Sequence, residues 1–272
     1  EKHPAVARDI GGKFIDAWAS GPPWTTTAGP GALTISMLHA TRGRPKQARD
    51  AYDRWMRAAS GDYNLEYVLS MDRDDETMHT EIQADGWPET VVQVWGESRP
   101  GPVDAYNRAL YASTGDIIVQ VHDDIVPPKG WDKLAVEALD GRMVRDANKP
   151  GVDGVCDLPV LLHVDDCQTC NPDKPWLLTI LIGTRAWFKR AGFFYHPGYP
   201  SVLCDDDVSQ MAMKAGAVIE AKHIKFNHAW GGQDGDETYR RAYQPANWEA
   251  GKAHFEARKA AGFPFEPERW GK

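Results

Sequence analysis

The chain has 272 residues, 42% of them hydrophobic and 26% charged, and 31 basic against 39 acidic side chains leave a net charge of −8. These values fit a folded chain long enough to bury its own core and exclude global disorder. No apolar run reaches the roughly 18 residues of a membrane helix, and the acidic balance disfavours a partner held across a broad basic face. The four cysteines, Cys156, Cys167, Cys170 and Cys204, are too sparse for a disulfide scaffold, so a reducing cytoplasm is expected. The start, Glu1-Lys2-His3-Pro4, has no apolar signal core. Eleven tryptophans stand out; they can fill core or offer flat stacking platforms to sugars and bases.

In chain order, residues 4–19 have apolar side chains at Val6, Ile10, Phe14, Ile15 and Trp18, which predicts a short amphipathic helix. Residues 21–31 are rich in Pro, Gly and Thr and read as a linker. A strand over 33–38 follows, then the loop Thr41-Arg42-Gly43-Arg44-Pro45, a helix over 46–59 and a strand over 67–71. Further strands fall at 91–95 and 116–121, with helices at 102–113 and 130–140. A helical pattern covers 207–215, a strand 218–226 and a last helix 247–261, which suits packing or assembly. Short alternating strands and helices imply an α/β protein with a mostly parallel sheet flanked by helices. Such sheets bind ligands outside the carboxyl ends of their strands.

Those ends are acidic. Asp72-Arg73-Asp74-Asp75-Glu76 follows the second strand, His122-Asp123-Asp124 follows the fourth, and Cys204-Asp205-Asp206-Asp207 opens a helix. One acidic cluster is ordinarily a solvated loop or helix cap. Two at strand ends suit a hard divalent cation, which takes oxygen ligands and can neutralise a diphosphate. Arg42 and Arg44 flank Gly43 ahead of a helix N-terminus, an arrangement that favours a phosphate. Neither GxxxxGK[ST] nor a GxGxxG after the first strand is present, which weakens kinase-type and dinucleotide readings.

The ordered set of motifs resembles the GT-A fold of glycosyltransferase family 2, especially its short bacteriophage-encoded members, over about residues 33–230. The matching pieces are Thr41–Pro45, the strand ending in Asp72, Asn107-Arg108-Ala109-Leu110-Tyr111-Ala112-Ser113-Thr114-Gly115-Asp116, the Asp123-Asp124 pair and Asp205-Asp206-Asp207 before Val208. Two departures are His122, where the family often has a further Asp, and Cys204, where it usually has Glu. The resemblance implies three parts: an N-terminal helix and linker (1–32), a glycosyltransferase domain (33–230), and a mobile loop with a C-terminal helix (231–272). It also implies metal-dependent transfer of a sugar, with inversion, from a nucleoside diphosphate sugar, most simply a UDP-sugar. Asp124 would ligate Mn²⁺ or Mg²⁺, and His228, with His223 as the competing position, would add a further ligand. Asp123 would contact the ribose or donor sugar, Asp72 the pyrimidine edge, and Thr41, Arg42, Arg44 and Asn107 the rest of the donor. Asp205, or else Asp207, would be the base that takes the acceptor proton. Trp187 reads as core, while Tyr195, His196 and Tyr199, in a Gly/Pro-rich turn, are candidates for acceptor contact. The loop Gly231–Glu237 would close over the donor.

Two rivals remain at this level. A GT-A-like nucleotidyltransferase would share the phosphate and metal site, but a G-x-G-T-R-like loop is absent after the first strand. A non-catalytic carbohydrate- or nucleic-acid-binding module would suit the tryptophans and leave the acidic strand ends without purpose. The acceptor reads as a hydroxymethylated DNA pyrimidine or a protein hydroxyl, and phage encoding would place the enzyme in the host cytoplasm. Cys167 and Cys170 form one CxxC, half of a zinc site that Cys156 and His163 would have to complete; a free-thiol loop or local disulfide is the simpler expectation.

Overall fold

A computed structural model describes residues 8–10, 13–15, 33–84, 87–140, 158–167, 174–228 and 237–271. It begins with β1 (Arg8–Ile10) and β2 (Lys13–Ile15), paired antiparallel with Arg8 opposite Ile15. This corrects the helix expected over 4–19. The apolar spacing fits a helical period, but the sequence includes Gly11-Gly12, and a glycine pair disfavours a helix.

The strand–helix alternation expected from Leu33 onward is present. β3 (Thr34–Ala40) leads through the 41–44 loop into α1 (Pro45–Ala58), and β4 (Asn64–Asp72) into α2 (Glu76–Gln83). β5 (Val92–Gly96) precedes α3 (Val103–Ala112), and β6 (Ile117–Val121) precedes β7 (Ile125–Val126) and α4 (Trp131–Asp140). β8 (Leu161–Asp165), β9 (Ile182–Thr184), α5 (Arg185–Ala191) and α6 (Cys204–Lys214) follow. The chain continues through β10 (Val218–Lys225), β11 (Asn227–His228), α7 (Glu237–Ala242) and α8 (Pro245–Ala260).

Seven strands form one sheet in the order β10-β8-β9-β6-β3-β4-β5. Only β9 runs against the others, pairing antiparallel with both β6 and β8. Side chains alternate between two buried faces, as a sheet covered on both sides requires. Ile35, Met37, Leu69, Met71 and Val119 face α1 and α4 on one side, where Trp55 and Trp131 meet edge to face at 5.2 Å. Leu38, Val68 and Ile118 face α3, α5 and α6 on the other, with Tyr106, Phe188 and Phe194. Trp55, Trp131 and Trp187 are fully buried, so these three serve the core, Trp187 as expected. Replacing one of them by Ala should cost about 3–5 kcal/mol.

The sheet order explains where chemistry can gather. β6, β3 and β4 are parallel neighbours, with His39 opposite Val121 and Ala40 opposite Ser70. Their carboxyl ends therefore lie side by side, and the loops after them, 41–44, 72–75 and 122–124, converge on one edge.

Candidate functional site

The first two loops are tied by charge. Arg42 donates to Asp72 Oδ2 at 3.0 Å and to Asp74 Oδ2 at 3.1 Å, while Arg108 of α3 donates to Asp72 Oδ1 at 3.1 Å. Both Asp72 oxygens are thus held by guanidinium groups. The Arg42 bond, working against burial, lowers the Asp74 carboxyl below its usual range. Gly43 takes a φ of +65°, and its amide donates to Asp75 Oδ2 at 2.6 Å. Asp75 also caps α2 by accepting from the Met78 amide, so one carboxylate fixes both loops. Arg42, one of the two arginines expected toward the donor phosphates, clamps these loops together.

Asp123 is the centre of the third loop. His39 Nε2 meets its Oδ1 at 2.8 Å, Thr41 Oγ1 lies 3.3 Å and Arg44 3.4 Å from its Oδ2, and Arg54 of α1 donates to its carbonyl at 2.8 Å. Thr41, Arg44 and Asp123 are therefore brought together at one strand end.

Asp124 meets His228 because β7 and β11 pair antiparallel, with His228 opposite Ile125. His228 Nε2 lies 3.3 Å from Asp124 Oδ2. Burial opposes the Asp124 charge, yet the His228 hydrogen bond and the His122 and His228 imidazoles hold the carboxyl well below the usual range. His223 is exposed on β10. His122 is kept neutral by burial, its pKa pushed down to about 4, and its Nε2 is buried without a hydrogen-bond partner. An ionised carboxylate, a neighbouring imidazole and an orphaned buried nitrogen together fit a divalent cation. Among the described residues no three such side chains stand close enough to hold an ion as they are.

At the start of α6, Leu203 adopts a left-handed φ of +66° that turns the chain into the helix. Half-buried Asp205 is pushed up to about 6, first by burial and then by the Asp206 charge. Asp206 is ion-paired with Lys174. Asp207 is fully buried: it accepts from Arg258 Nε at 2.9 Å, from its second terminal nitrogen at 3.1 Å and from the Tyr199 hydroxyl at 2.9 Å. The alternative base is thus enclosed in an ion pair with α8.

The remaining expected contacts are turned inward. Asn107 accepts from the Phe194 amide at 2.7 Å and donates to the Tyr195 carbonyl at 2.8 Å, so its amide braces the 194–195 turn. Tyr195 and Tyr199 are each 3% exposed, and the Tyr195 hydroxyl accepts from Gln120 at 2.9 Å. His196 sits between Glu266 and His254. This aromatic turn is core where acceptor contact was expected. Its Pro and Gly residues suggested an exposed loop, but the rings between them supply the packing. The loop 231–236 and Cys156 and Cys170 lie outside the described residues. Cys167 and Cys204 are free thiols, and His163 pairs with Glu220 at 3.0 Å.

His39, Arg54, Arg108 and Arg258 were missed from sequence. The one available signal was a histidine directly after the expected strand 33–38, at His39; the others are ordinary cations on helices.

No family model matches this chain, and no curated protein is similar to it in sequence. Solved structures are similar in shape. S. aureus TarS 1–349 in complex with UDP is 14% identical, with a TM-score of 0.54 over 84% of this chain and 72% of that one. A further TarS 1–349 structure gives 0.50 at 15% identity over 71% of this chain, which spans 59% of it. The mannosyltransferase PcManGT from Pyrobaculum calidifontis, in complex with GDP-Man and Mn²⁺, is 17% identical, with a TM-score of 0.52 over 88% of this chain and 79% of that one. Glucosyl-3-phosphoglycerate synthase from Mycobacterium tuberculosis, with Mn²⁺, UDP and phosphoglyceric acid, is 15% identical at 0.51, over 85% and 88%. With a main sheet of seven strands, six of them parallel, and helices on both of its faces, the chain has the GT-A fold of these glycosyltransferases.

Proposed function

We propose that the protein is a metal-dependent glycosyltransferase that moves a sugar from a nucleoside diphosphate sugar, most simply a UDP-sugar, to an acceptor hydroxyl with inversion at the anomeric carbon. The observation that carries this reading is the meeting of Asp72, Asp123 and the Asp124–His228 pair at adjacent strand ends of a GT-A fold. Neighbours of this fold bind UDP or GDP-Man and Mn²⁺.

In this reading Asp72 faces the base, steadied from behind by Arg42 and Arg108. Asp123 takes a donor hydroxyl, and Arg44 lies toward the diphosphate. Asp124 and His228 would hold Mn²⁺ or Mg²⁺, with His122 beside them. When bound, such a cation supplies positive charge opposite the departing diphosphate. Asp205 accepts the proton of the acceptor hydroxyl; its raised pKa keeps it basic yet still ionised at neutral pH. With Asp207 neutralised by Arg258, it takes no part in proton transfer.

The acceptor is proposed as a hydroxymethylated DNA pyrimidine or a protein hydroxyl. A phage origin and a cytoplasmic setting are part of the same proposal. Among the described residues no helix is long and apolar enough to cross a membrane. Incubation with UDP-glucose, Mn²⁺ and water tests the reaction class: slow UDP release is expected, and none would overturn it. Mass spectrometry after offering DNA, protein and simple sugars in parallel identifies the acceptor.

A further inference from the structure

His39 is fully buried in the middle of the sheet, a costly place for an imidazole unless both ring nitrogens are satisfied. Both are. Nδ1 lies 2.6 Å from the Tyr67 hydroxyl and Nε2 lies 2.8 Å from Asp123 Oδ1. Tyr67 comes from β4, His39 from β3, and Asp123 follows β6, so three adjacent strands contribute one member each. The phenol is itself buried, and burial followed by the Asp123 charge holds it firmly protonated. The Asp123 carboxylate can only accept, so Nε2–H is its donor, and the Tyr67 hydroxyl, which keeps its proton, can donate to Nδ1. The tautomer is fixed by its two partners.

The consequence is an asymmetric carboxylate. Oδ1 is held by His39 at 2.8 Å, whereas among the described residues Oδ2 has the longer contacts of Thr41 at 3.3 Å, shared with Oδ1 at 3.4 Å, and of Arg44 at 3.4 Å. We propose that the Tyr67–His39–Asp123 chain is a positioning relay that aims Asp123 Oδ2 at a ribose hydroxyl of the donor nucleotide and so makes the site select ribonucleotides over deoxyribonucleotides. This rests on the donor reading given under Proposed function. A carboxylate free to rotate would spread its acceptor direction over many angles; one held by a buried imidazole presents a single lone-pair direction, which rewards a hydroxyl at one place. His39 does not touch the nucleotide in this scheme and acts only through Asp123.

The test measures binding of UDP, 2′-deoxy-UDP and 3′-deoxy-UDP to the full chain by calorimetry in the presence of Mn²⁺. The wild type should prefer UDP over one deoxy form by about 10- to 100-fold, the weight of a hydrogen bond to a charged group. His39→Leu should bring that ratio close to one, and His39→Gln, which can still donate to Asp123, should restore most of it. Should His39→Leu fail to fold, Tyr67→Phe keeps the packing, frees the tautomer and should lower the ratio several-fold. A merely structural role would lower the melting temperature and leave the ratio alone. An unchanged ratio in Tyr67→Phe and His39→Leu, or a wild type indifferent to deoxygenation, overturns the relay and leaves the donor reading standing. A wild type that binds neither UDP nor GDP overturns the donor reading and the relay with it.

Discussion

His228 Nε2 stands 3.3 Å from Asp124 Oδ2, and what brings them together is a two-residue antiparallel pairing, β11 on β7, that is separate from the main sheet. This small ribbon delivers a side chain from beyond the last sheet strand to the loop after β6. Asp124→Asn keeps its shape and removes one charge. Mn²⁺ affinity measured by calorimetry should fall by more than the 10–100-fold typical of losing an outer-sphere partner, and transfer should fall with it. Equal Mn²⁺ affinity and turnover would remove Asp124 from the metal site. His228→Ala should weaken Mn²⁺ in the same direction, whereas His223→Ala, on the exposed side of β10, should not.

Arg44 and Arg42 are neighbours in the chain with different partners. Arg42 pairs with Asp72 and Asp74, and Arg44 lies 3.4 Å from Asp123 just ahead of α1. If Arg44 faces the diphosphate as proposed, Arg44→Ala should weaken UDP binding by about tenfold or more, as expected for a lost charge-assisted phosphate contact. The Arg42–Asp74 pair is exposed and should contribute at most about 1 kcal/mol to stability. Calorimetry with UDP separates the two: equal affinity in Arg44→Ala would place Arg44 outside the donor site.

These placements show what the sequence can carry. Strand-then-carboxylate patterns at Asp72 and at Asp123-Asp124 were legible, because a buried parallel strand reads as an apolar run and its carboxyl end is where polar residues resume. β9 was not legible: three residues, Ile182–Thr184, give no period, and its antiparallel direction is set by neighbours on both sides. α2 was hidden in the acidic run that its own cap, Asp75, belongs to. The roles of Asn107 and Asp207 depend on partners far away in the chain, at Phe194 and Arg258, and Tyr199 reaches Asp207 only across the left-handed turn at Leu203. No local pattern encodes such pairs, so a motif position alone could not distinguish a buried brace from a reacting group.

The Asp207–Arg258 pair gives a stability prediction. Both residues are at least nine-tenths buried, and Tyr199 adds a third bond. Arg258→Met leaves an uncompensated carboxylate in the core and should cost about 3–5 kcal/mol, read by urea unfolding. Asp207→Asn should destabilise in the same sense but by less, because the guanidinium keeps Glu266 Oε1 at 3.2 Å and the Pro264 carbonyl at 3.0 Å. At temperatures where these variants remain folded, UDP affinity should stay near wild type. A loss of transfer in Asp207→Asn without any loss of stability would return Asp207 to the list of bases.

Asp205 makes the sharper catalytic prediction, because its structural and chemical roles move different observables. Its carboxyl ordinarily titrates at 3.8 and is raised to about 6 by burial and by Asp206, with Lys174 pulling the other way. A base must be unprotonated, so the transfer rate should be flat above about pH 7 and fall tenfold per unit below 6. The folded pKa lies above the unfolded one, so the native state holds the extra proton between pH 4 and 6, and stability contributed by this group declines as pH rises through that window. Asp205→Asn removes a carboxylate that burial penalises, so stability at pH 7.5 should be unchanged or slightly higher. Transfer should nevertheless drop by about 10²–10⁴-fold with UDP binding kept. The remaining activity should also lose its acid limb near pH 6. If Asp205→Asn transfers at the wild-type rate, the inverting carboxylate-base mechanism fails, and the anomeric configuration of the product, read by NMR, then decides whether the reaction retains configuration instead.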